Sequence, residues 1–436
     1  MTHRNVQADK KTSRSGLMPW VYALIAIAPL VFAVPPISSI RVSAFGYLFP
    51  SQIILTMLGC AVLFCIFCCL GRCADKRYVR QLVFVIAVLF VIGLYGCTRG
   101  IGQGYAMRSL VDLLWLAAPI MYAEMLGGIL IKNRVRLVDV AVRMIYSITL
   151  FSAAVIVCNV LFYGEGVRLY FPGLGSVVFG YTLVVMLAFA VFVRALGYCS
   201  KVLSACALLF VVACVFTESR AAVYPAIMLC SVYFCINSNR GFNVIPVVLV
   251  GLALLIVNPI EVLTSFSDRF GRLDSNRFDT WFASMEAVFE SNALDVVFGH
   301  GLGNVFPYYD WYTDLYTGAI QRDYTDGAWN QFVFQGHVML VEPHNTFIWV
   351  MLEMGITGLA LLIICFLRIA KVSGTVYAMS GRSMKPYAFV LVLSVMFISM
   401  FDAVIFVNVA SAVIWICLLI AFSMASESQK GHTSSE

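Results

Sequence analysis

Residues 341–371 read VEPHNTFIWVMLEMGITGLALLIICFLRIAK, and this stretch decides the fold class. Between Asn345 and Leu367 the single charged side chain is Glu353. A helix that crosses the hydrocarbon core of a bilayer needs roughly 20 consecutive, mostly apolar residues. The stretch therefore predicts a membrane-spanning helix at 345–368, with a histidine and an asparagine where it begins.

The rest of the chain has the same apolar character. Of its 436 residues, 61% are hydrophobic and only 12% are charged, whereas about 25% of the residues in soluble domains are charged. The sequence therefore predicts an all-α polytopic membrane protein. Apolar runs of roughly 20 residues give about twelve candidate spans, at 17–34, 50–70, 79–97, 109–131, 137–163, 175–195, 202–217, 221–236, 242–259, 345–368, 386–401 and 403–424.

Lysine and arginine positions predict the orientation, because cytoplasmic loops of membrane proteins carry an excess of both residues. With the N-terminus inside, the inner segments hold most of these cations, so both termini are predicted to be cytoplasmic. The chain then divides into a tail at 1–16, nine spans within 17–257, one large outer loop at 258–343, three spans within 344–424 and a tail at 425–436.

The two sides of the membrane also differ in the kind of cation. In this topology all eight lysines fall inside, and all nine outer cations are arginines. Guanidinium is a planar fork that binds phosphate oxygens in pairs and tolerates desolvation better than ammonium does. The outer face is therefore a candidate phosphate-binding face. The alternative is that the small number of lysines produced this split by chance.

The outer loop at 258–343 contains a predicted amphipathic helix that begins near Asn276 and lies along the membrane surface. Arg277 falls in its first turn, and Arg269 and Arg272 lie just upstream. Cations near a helix N-terminus oppose the helix dipole, and a bound phosphate would remove that conflict. The alternative is that these arginines reach anionic lipid headgroups. Apolar side chains recur in the helix at helical spacing, namely Phe278, Trp281, Phe282, Met285, Val288 and Phe289.

His344 lies where the outer loop re-enters the membrane. Histidine can be neutral near pH 7 and accept a proton, so His344 is a candidate general base; the alternative is a structural histidine at the interface. Asn345 is expected to orient an acceptor or to cap the helix. Glu353 points away from His344 on an ideal helix. Its expected role is to form hydrogen bonds to a neighbouring helix, and Gly355 and Gly358 would allow that helix to come close.

The stretch TESRAAVYPAI at 217–227 separates two short apolar runs at the predicted outer boundary of the membrane. Two roles are open for Arg220 within it. The guanidinium can pair with Glu218 or with lipid headgroups, or it can bind a lipid-linked phosphate that approaches from the outer leaflet.

Four stretches together resemble the C-terminal signature of the O-antigen ligase and O-antigen polymerase superfamily. The resemblance covers roughly residues 215–365, and the earlier helices are similar in number and hydropathy alone. The four stretches are ESRAA at 218–222, SNRFDTW at 275–281, VFGHGLGNV at 297–305 and EPHNTFIWVMLEMGITGL at 342–359.

This resemblance implies a GT-C-like membrane glycosyltransferase in the inner (plasma) membrane of a bacterium. The donor would be a glycan on undecaprenyl diphosphate at the outer leaflet, and the acceptor a hydroxyl of a glycan or lipid core. His344 would correspond to the catalytic base, and Arg220 and Arg277, with Arg272 nearby, to the cations that hold the diphosphate. The supporting positions would be Ser219, Asn345, Glu353, Gly355 and Gly358.

No metal ion or other cofactor is expected, and no nucleic acid partner. A polyprenyl diphosphate is already a good leaving group, so the protein needs mainly to neutralise it and to deprotonate an acceptor. The first outer loop, at about 35–49, contains no Asp or Glu. Metal-dependent oligosaccharyltransferases place acidic metal ligands in that loop.

Two alternative functions remain open from the sequence. A polymerase of O-antigen, capsule or exopolysaccharide would use the same donor with a different acceptor. A transporter of lipid-linked glycans would need ionisable groups along a path near the middle of the membrane. The clear candidates for such a path are Glu124, Arg143 and Glu353.

The predicted topology can be checked in the outer loop. A cysteine in place of Thr325 should react with a membrane-impermeant maleimide in spheroplasts, because 258–343 is predicted to lie outside. A cysteine in place of Ser13, in the N-terminal tail, should react only after the membrane is permeabilised. Labelling at position 13 in intact spheroplasts, together with protection at position 325, would show that the chain has the opposite orientation.

Overall fold

The computed structural model of the chain is mostly helical. Two short antiparallel hairpins and a helical segment at 58–62 complete the regular structure of the described residues. The residues described are 17–31, 41–44, 47–50, 58–62, 76–101, 106–132, 136–163, 175–195, 198, 200–217, 219–235, 275–305, 331–334, 337–340, 343–379, 387–400 and 411–421.

Several helices in the first half of the chain have limits within a few residues of the predicted spans, and the candidate span at 50–70 is described as helical only at 58–62. The helix α4 has the predicted limits 137–163, and α5 has the predicted limits 175–195. In chain order the helices are α1 (Met18–Val31), α2 (Lys76–Ile101), α3 (Ala106–Lys132), α4 (Leu137–Tyr163), α5 (Gly175–Ala195), α6 (Lys201–Phe216), α7 (Arg220–Cys235), α8 (Ser275–Phe289), α9 (Ala293–Phe298), α10 (Thr346–Met379), α11 (Tyr387–Ser399) and α12 (Ser411–Ala421).

Three of these helices are long and apolar enough to cross a membrane, within the part of the chain that the structure describes. They are the segments Leu137–Asn159, Val177–Arg194 and Thr346–Ile364 of α4, α5 and α10. Six shorter helices or helix segments are also apolar, which is consistent with a membrane protein. The number twelve stays a prediction, and the candidate span at 242–259 lies outside the described residues.

Two short hairpins accompany the helices of the predicted all-α fold. In the first, β1 (Arg41–Ala44) pairs with β2 (Tyr47–Pro50); in the second, β3 (Gln331–Phe334) pairs with β4 (His337–Leu340). Four-residue strands carry too little alternation to be told from short apolar runs by periodicity. The second hairpin packs against α8, so it forms part of the structure that surrounds the start of α10.

The helix α5 forms the centre of the bundle. Every side chain from Phe179 to Val193 is buried, because α4, α6, α7 and α11 all pack against this helix. A helix that is apolar on all sides is typical of such a central position. Gly180 brings the connection between α6 and α7 close to α5, since a Cβ there would lie 2.8 Å from the Cβ of Ala222.

The helices α8 and α9 pack along α10. The apolar stripe predicted for α8 is divided in the structure, because Val288 is buried while Phe282 and Phe289 are exposed. Thr280 and Ser284 occupy buried positions, and the Ser284 hydroxyl donates to the Thr280 carbonyl oxygen at 2.7 Å. The protein side of α8 is therefore lined partly by small polar residues.

Candidate active site

Asn345 caps the N-terminus of α10. Its Oδ1 accepts hydrogen bonds from the backbone N–H groups of Phe347 at 3.0 Å and Ile348 at 3.2 Å. The first turn of a helix leaves such N–H groups without an intrahelical acceptor, and an asparagine at the cap supplies one. Asn345 is itself buried, so this cap fixes where the helix begins and how the preceding residue leaves it.

That preceding residue is His344, which has a backbone φ of 46°. Among the described residues no other non-glycine residue has a positive φ. A left-handed backbone costs an L-amino acid of order 1–3 kcal/mol and persists where the surrounding structure imposes it, often at functional sites. The His344 side chain is partly exposed, and its Nδ1 is buried. The turn therefore fixes the imidazole at the N-terminal end of α10 with one ring nitrogen enclosed by protein.

The helix α8 holds this turn in place. The indole N–H of Trp281 donates a hydrogen bond to the carbonyl oxygen of Pro343, which directly precedes His344. Arg277 lies four residues before Trp281 and so falls on the same face of α8. The backbone of Arg277 is therefore one helical turn from the residue that fixes the His344 turn. Sequence spacing alone does not predict this link.

Further along α10, the helix is broken at Gly355, which has a non-helical φ of 68°. The segment 299–303 packs across the break and forms hydrogen bonds with the carbonyl groups released there. His300 N–H donates to the Leu352 carbonyl and Gly301 N–H to the Glu353 carbonyl, both at 3.0 Å. Such a break has an identifiable cause, since a glycine meets a second backbone that replaces the lost helical bonds.

Close backbone contact explains why glycines stand on both sides of this junction. A Cβ at Gly299 would lie 2.2 Å from the carbonyl carbon of Glu353, and a Cβ at Gly355 would lie 2.3 Å from the carbonyl oxygen of Val297. Both glycines also have positive φ, which side-chain-bearing residues rarely adopt. The partner of Gly355 is thus the backbone of residues 297–299, not a neighbouring membrane helix as the sequence predicts.

Gly358 has a different neighbour from the predicted one as well. A Cβ at Gly358 would lie 2.4 Å from the Cβ of Met354, which belongs to the same helix. The break at Gly355 brings these two positions together. In the structure Gly358 therefore makes room for the break rather than for another helix.

Glu353 is fully buried next to the break. Its Oε2 accepts a hydrogen bond from Gly303 N–H at 3.1 Å. The sequence predicts that Glu353 forms hydrogen bonds to a neighbouring helix. In the structure its partner is the glycine-rich loop instead. This polar side chain inside α10 therefore secures the loop 299–303 to the helix that follows His344.

This contact leads to a prediction about Glu353. Glu353→Ala should lower the thermal stability of the detergent-purified protein, because a buried N–H left without an acceptor costs about 1–3 kcal/mol. Glu353→Gln keeps an oxygen at the same place and should lose much less. Equal melting temperatures for the two variants would show that the bond to Gly303 contributes nothing.

Arg220 begins α7 at the end of a tight turn. The Ser219 carbonyl accepts from Ala222 N–H and Val223 N–H at 2.9 Å, so Ser219 occupies the cap position of α7. Ser219 N–H in turn donates to the Thr217 hydroxyl at 3.3 Å. Ser219 is buried, and the turn packs on α5. A rigid turn therefore carries the Arg220 backbone at a helix N-terminus, where anions are favoured.

Two of the proposed diphosphate ligands are thus located by their backbones, and one is not located. Arg220 lies in the first turn of α7 and Arg277 in the first turn of α8, while their side chains are outside the described part of the structure. Arg272 lies outside the described residues altogether. The structure brings the Arg277 helix to His344, and it describes no contact that joins Arg220 to either.

These positions fall within one recognised family region. Residues 205–363 match the model of the O-antigen ligase family, Wzy_C. This match confirms the resemblance and supports an O-antigen ligase-like family for the chain. No curated protein matches the sequence. The O-antigen ligase-like region covers about a third of the chain and runs from α6 into α10.

The O-antigen ligase-like region also contains a polar network that the sequence does not predict. His300 Nε2 lies 2.8 Å from Ser291 Oγ, and His300 Nδ1 lies 3.8 Å from Asp295 Oδ2. Asn292 caps α9 by accepting from Leu294 and Asp295 N–H at 3.0 Å. A cavity of about 380 Å³ opens there, lined by Ala287, Glu290, Ser291, Asn292, Asp295, His300, Val305 and Leu352.

One sequence signal could have located the start of this network. Asn292 stands three residues before Asp295, directly ahead of an apolar run, which is the spacing of a helix cap with an acidic residue in the first turn. No comparable local signal links either residue to His300. The cavity does not include His344 among its lining residues.

Proposed function

We propose that the chain is a membrane glycosyltransferase that moves a glycan from undecaprenyl diphosphate to an acceptor hydroxyl at the outer face of the membrane. One observation carries the proposal. The turn that contains His344 is held by Trp281, on the same helix whose first turn contains Arg277. A proton acceptor and a phosphate-binding cation are the two groups that this reaction needs close together.

In the proposed reaction, Nε2 of His344 accepts the proton of the acceptor hydroxyl, because Nδ1 is buried. The acceptor oxygen forms a bond to the anomeric carbon as the bond from that carbon to the diphosphate oxygen breaks. The diphosphate leaves with the electron pair. Attack opposite the leaving group in one step inverts the anomeric centre, and no covalent glycosyl-enzyme or metal ion is required.

The arginines would take up the negative charge that develops on the departing diphosphate. Arg220 and Arg277 each stand in the first turn of a helix, where backbone N–H groups add to the attraction for an anion. Preorganised cations and N–H groups of this kind stabilise the transition state without reorganisation. Arg272 would extend the same cationic surface upstream of α8.

Substitution by lysine tests this role for the arginines. Arg220→Lys and Arg277→Lys keep the charge but lose the planar fork, so each should lower the rate of transfer measurably. Arg41→Lys and Arg168→Lys are the matched controls, because these arginines are also predicted to lie outside. Equal tolerance at all four positions would mean that the outer arginines serve only the lipid surface.

The identity of the acceptor separates a ligase from a polymerase. Both transfer a glycan from the same donor, and a polymerase uses another lipid-linked glycan as its acceptor. Purified protein supplied with labelled lipid-linked repeat units should give one transfer product on a lipid-core acceptor if it is a ligase. A ladder of products formed from the repeat units alone would identify a polymerase.

A further inference from the structure

The short helix α9 buries its polar side and exposes its apolar side, which is the reverse of the arrangement expected for a helix in water. Asp295 is 5% exposed, whereas Leu294 is 66% exposed. Val297 and Phe298 are 42% and 47% exposed. Helices on the surface of soluble proteins turn their apolar side inward, and a group of exposed apolar side chains marks a surface that another molecule covers.

Asp295 is satisfied by groups inside the protein. Its Oδ2 accepts from Asn292 Nδ2 at 2.7 Å and faces His300 Nδ1 at 3.8 Å, while its Oδ1 accepts from the Tyr95 hydroxyl at 3.4 Å. A carboxylate with these partners does not depend on water for its hydrogen bonds. The helix therefore presents its polar group to the protein and its apolar groups to the outside, as an element in contact with lipid must.

The depth of α9 follows from its register on α10. The Thr357 hydroxyl donates to the Val297 carbonyl at 2.7 Å. Arg368 lies eleven residues beyond Thr357, on the far side of the break at Gly355, and this distance is about 16 Å at helical rise. With Arg368 at the cytoplasmic boundary, a hydrocarbon core about 30 Å thick extends well above Val297.

The two longer helices that contact α9 also carry exposed apolar side chains. Phe298 contacts Tyr95 of α2, with ring centroids 5.6 Å apart, and α9 packs on α10. The exposed side chains on α2 and α10 include Phe90, Val91, Leu94, Ile356, Ile363 and Leu367. A protein interface usually has a polar rim, whereas α9 and both of its neighbours carry exposed apolar side chains.

We propose that the α9 apolar face, formed by Leu294, Val297 and Phe298, is inserted among the lipid chains of the outer leaflet. Part of the predicted outer loop then lies inside the bilayer, as a wedge held to α10 by the bonds around Gly355. The proposal depends on the predicted cytoplasmic position of Arg368. It does not depend on the chemistry at His344, so either proposal can fail without the other.

Photo-crosslinking in proteoliposomes tests the insertion. The full-length protein carries benzoylphenylalanine at position 294 or, separately, at position 297, and adducts are identified by mass spectrometry after irradiation. Thr325 is the control position, because it is predicted to lie in the water-exposed part of the same outer loop. We expect phospholipid adducts from positions 294 and 297, and none above background from position 325.

Each other outcome contradicts the insertion. A crosslinked dimer from position 294 or 297 would show that a second copy of the chain covers the face. The absence of lipid adducts at both positions would show that lipid does not cover the face. Lipid adducts of equal yield at position 325 would show that the α9 apolar face is no more embedded in lipid than the water-exposed part of the loop.

Discussion

His344→Ala should reduce the rate of glycan transfer by about 10²–10⁴-fold, which is the contribution typical of general-base catalysis. The protein should still insert into the membrane and still bind the lipid-linked donor, because in the proposal the arginines and not the histidine hold the diphosphate. The measurement is the rate of transfer by purified protein at saturating donor, together with donor binding. The large effect is expected because alanine removes the proposed proton acceptor while Asn345 still caps the helix.

His337→Ala is the matched control for that measurement. His337 is also predicted to lie outside, and it belongs to β4 rather than to the turn before α10. This control should keep most of the activity. His300 is a poorer control, although the sequence assigns it no catalytic role, because its ring contacts Ser291 and its backbone contacts α10. Normal turnover by His344→Ala would exclude the proposed base.

The second large effect is expected at Gly355. Gly355→Ala places a Cβ 2.3 Å from the Val297 carbonyl oxygen and 2.5 Å from Gly299 N. Because both atoms belong to backbone, neither can move without shifting α9 or the loop 299–303. A positive φ alone costs a side-chain-bearing residue of order 1–3 kcal/mol. We expect a marked loss of folded protein after detergent extraction, measured by size-exclusion chromatography after heating.

Gly59→Ala provides the comparison for Gly355→Ala. A Cβ at Gly59 would approach only the edge of the Tyr122 ring, at 3.1 Å, and this glycine has no positive φ. It should keep a thermal profile near that of the unmodified chain. If Gly355→Ala has the same profile as Gly59→Ala, the close approach of the loop to α10 does not contribute to stability.

The helices of the bundle could be predicted because a membrane-spanning helix has one simple requirement, which is visible in the sequence. Each span needs a run of apolar residues of sufficient length, and charged or turn residues mark its ends. The limits of α4 and α5 follow from such runs. The hairpins could not be predicted in this way, because four-residue strands in a helical protein leave no distinct periodic signal.

The arrangement around Glu353 shows what local sequence cannot provide. A charged residue inside an apolar helix indicates that some partner exists, but not which one. Its partner, Gly303, precedes it by fifty residues. The glycines at 355 and 358 indicate close packing without distinguishing a neighbouring helix from a break in the same helix. Only the tertiary structure decides between these, because the glycine-rich loop supplies the replacement hydrogen bonds.

By contrast, the position of Asn345 ahead of an apolar run is itself a local cap signal, and the structure has the cap there. The link from Trp281 to Pro343 is not local, since it joins residues 62 apart in the chain. The sequence could therefore indicate His344 and Arg277 as separate candidates. It could not indicate that the helix of one fixes the turn of the other.

The most direct test supplies purified protein in proteoliposomes with an undecaprenyl-diphosphate-linked glycan and an acceptor that carries a free hydroxyl. The measurement is the anomeric configuration of the new glycosidic bond by NMR, together with the release of undecaprenyl diphosphate. We expect transfer with inverted configuration from the unmodified protein and a rate lower by about 10²–10⁴-fold from His344→Ala. Retained configuration, or movement of the lipid-linked glycan across the membrane without any transfer, would contradict the proposed function.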